Sequence, residues 1–326
     1  MKQNYTAAFP GKYIQGANAL QELPRLIRLF GKRAFILASP TAARKILPGY
    51  TFPKEDIELF VETFGGECCE KELSRISSVL ERERPDAIIG MGGGKTIDAA
   101  KIAADRARIP VMIVPTIAST DAPCSGVAII YSEDGIFESV YTTRLNPPVV
   151  LVDTRIIVTA PVRYLVSGMG DAMATWFEAR SCHQSHSPNV CGGNSTLTGL
   201  NLAKLCYDTL LKYGPEAKAG CEQKRITPAF EYIVEANTLL SGLGFESSGL
   251  AAAHAIHNGL SALDETHAFF HGEKVAFGVV AGLHLTGSTA EEMNTVYSFF
   301  EVMGVGIGLS DIGVTGKHTE KLKKVL

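Results

Sequence analysis

Through the first half of the chain, short apolar runs alternate with stretches whose apolar residues recur at helical spacing. Ala34–Ala38, Ile57–Val61, Asp86–Gly90 (with Ala87, Ile88 and Ile89), Pro110–Val114 and Val149–Val152 are short and apolar enough to be buried strands. Between them, Glu72–Arg84 places Leu73, Ile76, Val79 and Leu80 at helical spacing, and Thr96–Arg108 sets Ala and Ile on one face. Thr41–Ile46 suits a short helix. Strand and helix in alternation, joined by short connections, predict a parallel sheet covered on both faces. One segment interrupts this rhythm. Val127–Tyr131 and Ile136–Tyr141 flank Ser132-Glu133-Asp134-Gly135, and the Asp-Gly pair marks a β-hairpin.

After Pro161 the pattern becomes helical throughout: Val162–Ser181, Leu197–Tyr213, Ile226–Leu240, Leu250–Leu260 and Glu273–Leu285. The expected organisation is an α/β domain over 1–160 and an all-α domain over 161–326, which the motifs below make the dinucleotide-binding and the metal- and substrate-binding domain respectively. The boundary falls at Thr159-Ala160-Pro161.

Composition narrows the class. The chain has 326 residues, 46% hydrophobic and 20% charged, as expected of a soluble two-domain globular protein. A net charge of -3 and a pI near 6.3 give no reason to expect nucleic acid or an anionic membrane as partner. No apolar stretch reaches the ~20 residues of a membrane span. Met1–Phe9 lacks the apolar core of a signal peptide, so a cytoplasmic location is expected. The seven cysteines (Cys68, Cys69, Cys124, Cys182, Cys191, Cys206, Cys221) are odd in number and include no CxxC pair, so reduced thiols packed as small hydrophobes are expected.

Two loops carry candidate binding chemistry. Gly90-Met91-Gly92-Gly93-Gly94-Lys95-Thr96 follows a strand and opens a helix, where backbone N–H groups face an anion and glycines allow close approach. It is neither a Walker A loop, which would need Gly at Ile89, nor GxGxxG, whose third Gly meets Lys95. Phosphate or pyrophosphate binding is the expectation, and a plain tight turn the alternative. Pro115–Ser125 leaves the carboxyl end of the next strand with several hydroxyls and Asp121, and an ordinary capped turn is its alternative.

Three distant segments supply possible metal ligands. His254 lies on an alanine-rich helix, where a satisfied core histidine is the plainer reading. His271 precedes another helix. Asp171 sits among glycines near the start of a helical run, where a carboxylate usually serves the helix N-terminus. Together they offer three ligands and one open position, the arrangement of a catalytic zinc. Cys182-His183-Gln184-Ser185-His186…Cys191 has zinc-binding residue types at no known spacing, and is expected to be a polar loop.

Taken in order, Pro10–Gly16, Gly92–Asp98, Thr116–Pro123, Gly170–Ala172 and His271–Ala276 resemble the bacterial glycerol dehydrogenases. These are zinc enzymes within the iron-containing alcohol dehydrogenase superfamily. The resemblance runs from Pro10 to about Gly304. It implies a Rossmann-like N-terminal domain and a helical C-terminal domain, the dehydroquinate synthase-like architecture. It further implies zinc on Asp171, His254 and His271, with Asp121 touching the polyol and His254 beside it. Gly94, Lys95, Thr96 and Asp98 correspond to the pyrophosphate region of NAD. Thr116, Ser119, Ser125, Val127 and Tyr131 correspond to further cofactor contacts. The implied reaction is reversible oxidation of glycerol to dihydroxyacetone by a homo-oligomer, commonly an octamer.

Two departures qualify this. Ser39 stands where the family has an acidic residue for the adenosine ribose, which predicts weaker NAD binding or looser rejection of NADP. The chain ends at Leu326, some tens of residues before the family does, so the helical domain is expected to leave apolar surface uncovered. The alternatives are a related metal- and NAD-dependent enzyme acting on a phosphorylated polyol, or a non-catalytic relative.

Overall fold

The computed structural model describes residues 4–51 and 57–316. His318 and the terminal Lys323–Leu326 lie outside them. Contacts divide the chain into two compact units. Among the described residues, one comprises 9–118 and 122–160; the other comprises 4–8, 119–121 and 161–316.

The first unit is built on a parallel sheet. Its strands are β1 (Tyr13–Gly16), β2 (Arg33–Ala38), β3 (Glu58–Thr63), β4 (Ala87–Gly92), β5 (Val111–Pro115) and, after a separate hairpin of β6 (Val127–Tyr131) and β7 (Phe137–Thr142), β8 (Val149–Asp153). Its helices are α1 (Leu23–Ile27), α2 (Glu70–Glu83), α3 (Gly94–Ala107) and α4 (Thr154–Thr159). The order is β1-β8-β5-β4-β2-β3, and every pairing in this sheet is parallel. The central strands β4, β5 and β8 are buried along their whole length, which explains their unbroken apolar sequence. The edge strand β3 is instead only partly buried and carries Glu58 and Glu62, charges that discourage pairing with another chain.

The sheet grows in one direction from β2 to β3 and in the other from β4 to β5 and β8. The reversal lies between β2 and β4, and ligands of open α/β sheets bind outside the carboxyl ends of strands at such a point. Ser39 follows β2 and the glycine-rich turn follows β4, so both stand there. Two expectations need amendment. The short helix expected at Thr41–Ile46 is wound as a wide, π-type turn over residues 42–46 and runs on into a 3-10 turn at Leu47–Gly49. The sheet also gains β1, too short to signal itself.

The second unit is helical: α5 (Val162–Ser185), α6 (Leu197–Glu222), α7 (Pro228–Glu235), α8 (Ser241–Ser248), α9 (Ala252–Leu260), α10 (His271–Leu285) and α11 (Ala290–Met303). The expected helix at 226–240 continues through a π-type turn at Ala236–Leu240 into α8. The helix α11 was not anticipated. Thr289 caps its start by accepting from Glu292 N–H, its Val296, Phe299, Phe300 and Met303 are buried, and Lys218 Nζ donates to its last carbonyls. Glycines set the closest helix contacts. A Cβ on Gly272 would stand 1.8 Å from Ser167 O, and one on Gly278 would stand 2.5 Å from Ala253 O. The chain therefore brings α10 against α5 and α9 at backbone distance. Among the described residues no helix is long and apolar enough to cross a membrane.

The α3–sheet contact is equally tight, because a Cβ on Gly90 would lie 2.6 Å from Ala100 Cβ. Gly90→Ala is expected to cost about 1–3 kcal/mol through overpacking, read as a lower urea midpoint. Adding Ala100→Gly should recover part of it. An unchanged midpoint for Gly90→Ala would show that this interface has slack.

Candidate active site

Asp171 lies well inside α5 and is fully buried, so it does not serve a helix N-terminus as its neighbouring glycines implied. A carboxylate in that position must be compensated by polar partners or cations. Three groups converge on it. His254 Nε2 and His271 Nε2 lie 3.3 and 3.1 Å from Oδ1, and the Asp121 backbone N–H donates to Oδ2 at 3.2 Å. All four residues belong to the helical unit, Asp121 through the short segment Ser119–Asp121.

Each histidine is fixed from behind. Glu178, buried on α5, accepts from the backbone N–H groups of Ala251 and His254 at 2.9 and 3.0 Å, and its Oε2 sits 2.6 Å from His254 Nδ1. One carboxylate thus caps α9 and holds the His254 proton on Nδ1, turning Nε2 toward Asp171. His271 Nδ1 is 3.0 Å from His257 Nε2, and His257 Nδ1 is 3.2 Å from Asn258 Oδ1. Since Asn258 Oδ1 can only accept, His257 carries its proton on Nδ1. It then accepts from His271 Nδ1–H, which leaves His271 Nε2 facing Asp171.

The electrostatics follow. Burial pushes the Asp171 carboxyl up, but the adjacent His271 and His254 outweigh it and hold it well below the usual range. Burial pushes His254 down, yet Glu178 and then Asp171 carry it well above an ordinary histidine. His257 is driven well below the ordinary value by burial, His271, Lys274 and His254, which suits its role as a neutral acceptor.

This donor set fits a metal ion. One atom from each of Asp171, His254 and His271 lies within 4.8 Å of the others. Tetrahedral zinc with bonds of about 2.0–2.2 Å sets its ligands roughly 3.3–3.5 Å apart, close to the 3.1 and 3.3 Å seen here. Metal binding requires each Nε2 to offer its lone pair, so uptake is expected to release protons and to weaken as pH falls.

Glu178, Ser241 and His257 were not singled out from sequence. Ser241 Oγ donates to Asp121 Oδ2 at 2.8 Å. The available signal was periodicity: Glu178 follows Asp171 by two helical turns, and His257 follows His254 by one. The Cys182–Cys191 segment needs correction. Cys182–Ser185 is the last turn of α5, Cys182 is buried, and His186 ends the helix in the left-handed conformation (φ 55°), so a loop begins only beyond it. The seven thiols are free, six of them buried and Cys191 half-buried.

The cofactor candidates fall into two groups. At the switch point, Gly93 caps α3 and Gly94, Lys95 and Thr96 form its first turn. Packing alone already demands some of these glycines. A Cβ on Gly92 would be 2.7 Å from the Thr96 side chain and 3.0 Å from Ser39 Cβ, and one on Gly93 would be 2.8 Å from Ile117. Lys95 pairs with Glu67 and lies over the Tyr131 ring. Thr116 N–H donates to Gly92 O at 3.0 Å, beside the same turn.

The second group is held by a buried cation. Lys101 is 1% exposed, and its Nζ donates to the carbonyls of Ala122, Ser125 and Val127 and lies 3.7 Å from Asp98 Oδ1. Asp98 Oδ2 accepts from Ile129 N–H at 3.2 Å. Asp98, Ser125 and Val127 are therefore occupied in shaping the loop, and Ser125 is fully buried. Ser119 clusters with the helical unit, where its carbonyl accepts from Ser167 Oγ at 3.4 Å.

Known proteins were compared with this chain. The family described as Iron-containing alcohol dehydrogenase matches residues 10–154. The chain is similar to glycerol dehydrogenase of Thermotoga maritima, 51% identical over 98% of this chain and 88% of the relative. It is similar to that of Pseudomonas putida, at 44% over 97% and 87%. The crystal structure of glycerol dehydrogenase from Schizosaccharomyces pombe superposes with a TM-score of 0.91 at 38% identity, covering 99% of this chain and 84% of that one. A match over 98% of the chain runs past Gly304, so the resemblance does not stop there.

The Glu178 geometry makes a testable statement about metal binding. Glu178→Gln keeps the shape but weakens the hold on His254 Nδ1–H. Zinc affinity, measured by chelator competition, is expected to fall about 10- to 100-fold with the fold intact by circular dichroism. Unchanged affinity would make Glu178 a helix cap alone.

Proposed function

This chain belongs to the glycerol dehydrogenases of the iron-containing alcohol dehydrogenase family, and from that premise we propose which of its residues perform the reaction. It is an NAD-dependent oxidoreductase that oxidises glycerol, moving a hydride from the secondary carbon and yielding dihydroxyacetone. The reading assigns the metal to Asp171, His254 and His271, and names zinc as that metal. It rests on one observation above the rest: two imidazole nitrogens, each oriented from behind, converge on one oxygen of a fully buried carboxylate.

Bound zinc supplies Lewis acidity toward a substrate hydroxyl, and bound NAD accepts the hydride. The protein does the rest. Glu178 and His257 keep both Nε2 atoms turned inward. Asp121 accepts a second hydroxyl of the polyol and so orients the reacting carbon. Gly94, Lys95 and Thr96 face the cofactor pyrophosphate at a helix N-terminus, with Lys95 exchanging Glu67 for phosphate. Asp98, Thr116, Ser119, Ser125, Val127 and Tyr131 complete the assignment, Asp98, Ser125 and Val127 by shaping the loop through Lys101. Free thiols throughout support a reducing, cytoplasmic setting. A homo-octamer belongs to the same reading and is checked by light scattering.

Turnover of glycerol with NAD at alkaline pH is expected to vanish on chelation and to return with zinc. His271→Ala should abolish it together with metal content. Restoration by iron(II) in preference to zinc would overturn the zinc assignment. Activity on a phosphorylated polyol alone, or none from folded, zinc-loaded protein, would overturn the glycerol reading.

Ser39 provides a second test. With no carboxylate at the carboxyl end of β2, a 2′-phosphate meets no repulsion. KM values for NAD and NADP are expected to be comparable, and Ser39→Asp should raise that for NADP roughly tenfold or more, because the introduced carboxylate repels the 2′-phosphate. A strong NAD preference in the unaltered protein would refute this.

A further inference from the structure

The carboxylate assigned to the polyol is itself held from behind. Asp121 is 8% exposed, so its charge needs donors. The bond from its backbone N–H to Asp171 fixes the main chain but leaves the side-chain rotamer open. That rotamer is met by Ser241, the first residue of α8, through the 2.8 Å bond to Asp121 Oδ2. A serine hydroxyl has a single proton. With that proton committed to the carboxylate, the 2.7 Å contact between Thr175 Oγ1 and Ser241 Oγ is a bond donated by Thr175. Both hydroxyls are fully buried. Thr175 stands one helical turn after Asp171 on α5. The path Thr175 to Ser241 to Asp121 ties the substrate carboxylate to the helix that bears the metal carboxylate.

We infer that Ser241, backed by Thr175, is a positioning residue for substrate: its bond sets the direction in which the Asp121 carboxylate faces a second hydroxyl of the polyol. This rests on the reading of Asp121 as the polyol contact. The consequence is selective. Among the described residues the Ser241 hydroxyl bonds to Asp121 and Thr175 and to neither the histidines nor the cofactor turn, so its loss should weaken use of glycerol and leave metal and NAD binding alone.

The experiment is steady-state kinetics on the zinc-loaded full chain, varying glycerol and NAD in turn, for Ser241→Ala, Asp121→Asn and the double variant. Ser241→Ala is expected to lower kcat/KM for glycerol on the order of 10- to 100-fold, the range for a hydrogen bond to a charged group. KM for NAD and zinc per chain should not change. The double variant should be no worse than Asp121→Asn alone, because Ser241 acts through Asp121. Thr175→Val keeps the side-chain shape and should move glycerol kcat/KM the same way by a smaller factor; it decides the matter if Ser241→Ala does not fold. Additive losses in the double variant, or zinc and NAD binding lost together with glycerol use, would overturn the relay. Asp121→Asn with unchanged glycerol kcat/KM would instead remove the polyol assignment on which the relay depends, a result distinct from a relay that fails while Asp121→Asn is impaired.

Discussion

A carboxylate with no exposure to water is the constraint around which the helical unit is organised. Burying the Asp171 charge without partners would be prohibitively costly. The structure answers with two imidazoles on one oxygen and a backbone N–H on the other. Those partners are buried or half-buried in turn, so each requires its own: Glu178 for His254, His257 for His271, Ser241 for Asp121. Demand for polar compensation thus spreads outward from a single residue until it reaches groups satisfied by the backbone. A divalent cation at the centre would meet the same demand with a full opposite charge.

Such a network needs helices closer than ordinary side chains allow. The Gly272 contact on Ser167 and the Gly278 contact on Ala253 remove the Cβ atoms that would separate α10 from α5 and α9. Asp171 and His271 flank the first of these contacts, so packing and chemistry are set by neighbouring residues. The helix α5 carries Asp171, Thr175 and Glu178 along one face, and through them reaches both histidines, the Ser241–Asp121 pair and the far side of the His254 ring.

The α/β unit uses a parallel device. Lys101 is a buried cation that gathers three carbonyls and Asp98, thereby fixing the loop after β5 and the start of the hairpin. Residues that look like ligand contacts by their type and place, such as Asp98 and Ser125, are engaged with that cation. In the proposed reading their part in cofactor binding is to hold a shape, whereas Lys95, half-exposed and paired with Glu67, is the cation left at the surface of the turn.

What the amino-acid sequence settles by itself is whatever depends on local pattern. Unbroken apolar runs required buried parallel strands, the Asp134-Gly135 pair a hairpin turn, and the post-Pro161 periodicity a helical unit, because spacing along the chain dictates which side chains share a face. Motif order was equally legible, since Asp171, His254 and His271 are recognisable by their flanks. Tertiary structure alone decided the rest. That Glu178 meets His254, that Lys101 gathers the carbonyls of Ala122, Ser125 and Val127, and that Ser241 reaches Asp121 are relations between residues far apart in the chain. No local propensity encodes them; they arise because a buried charge must find its partner wherever the packed helices and strands bring one within hydrogen-bond reach.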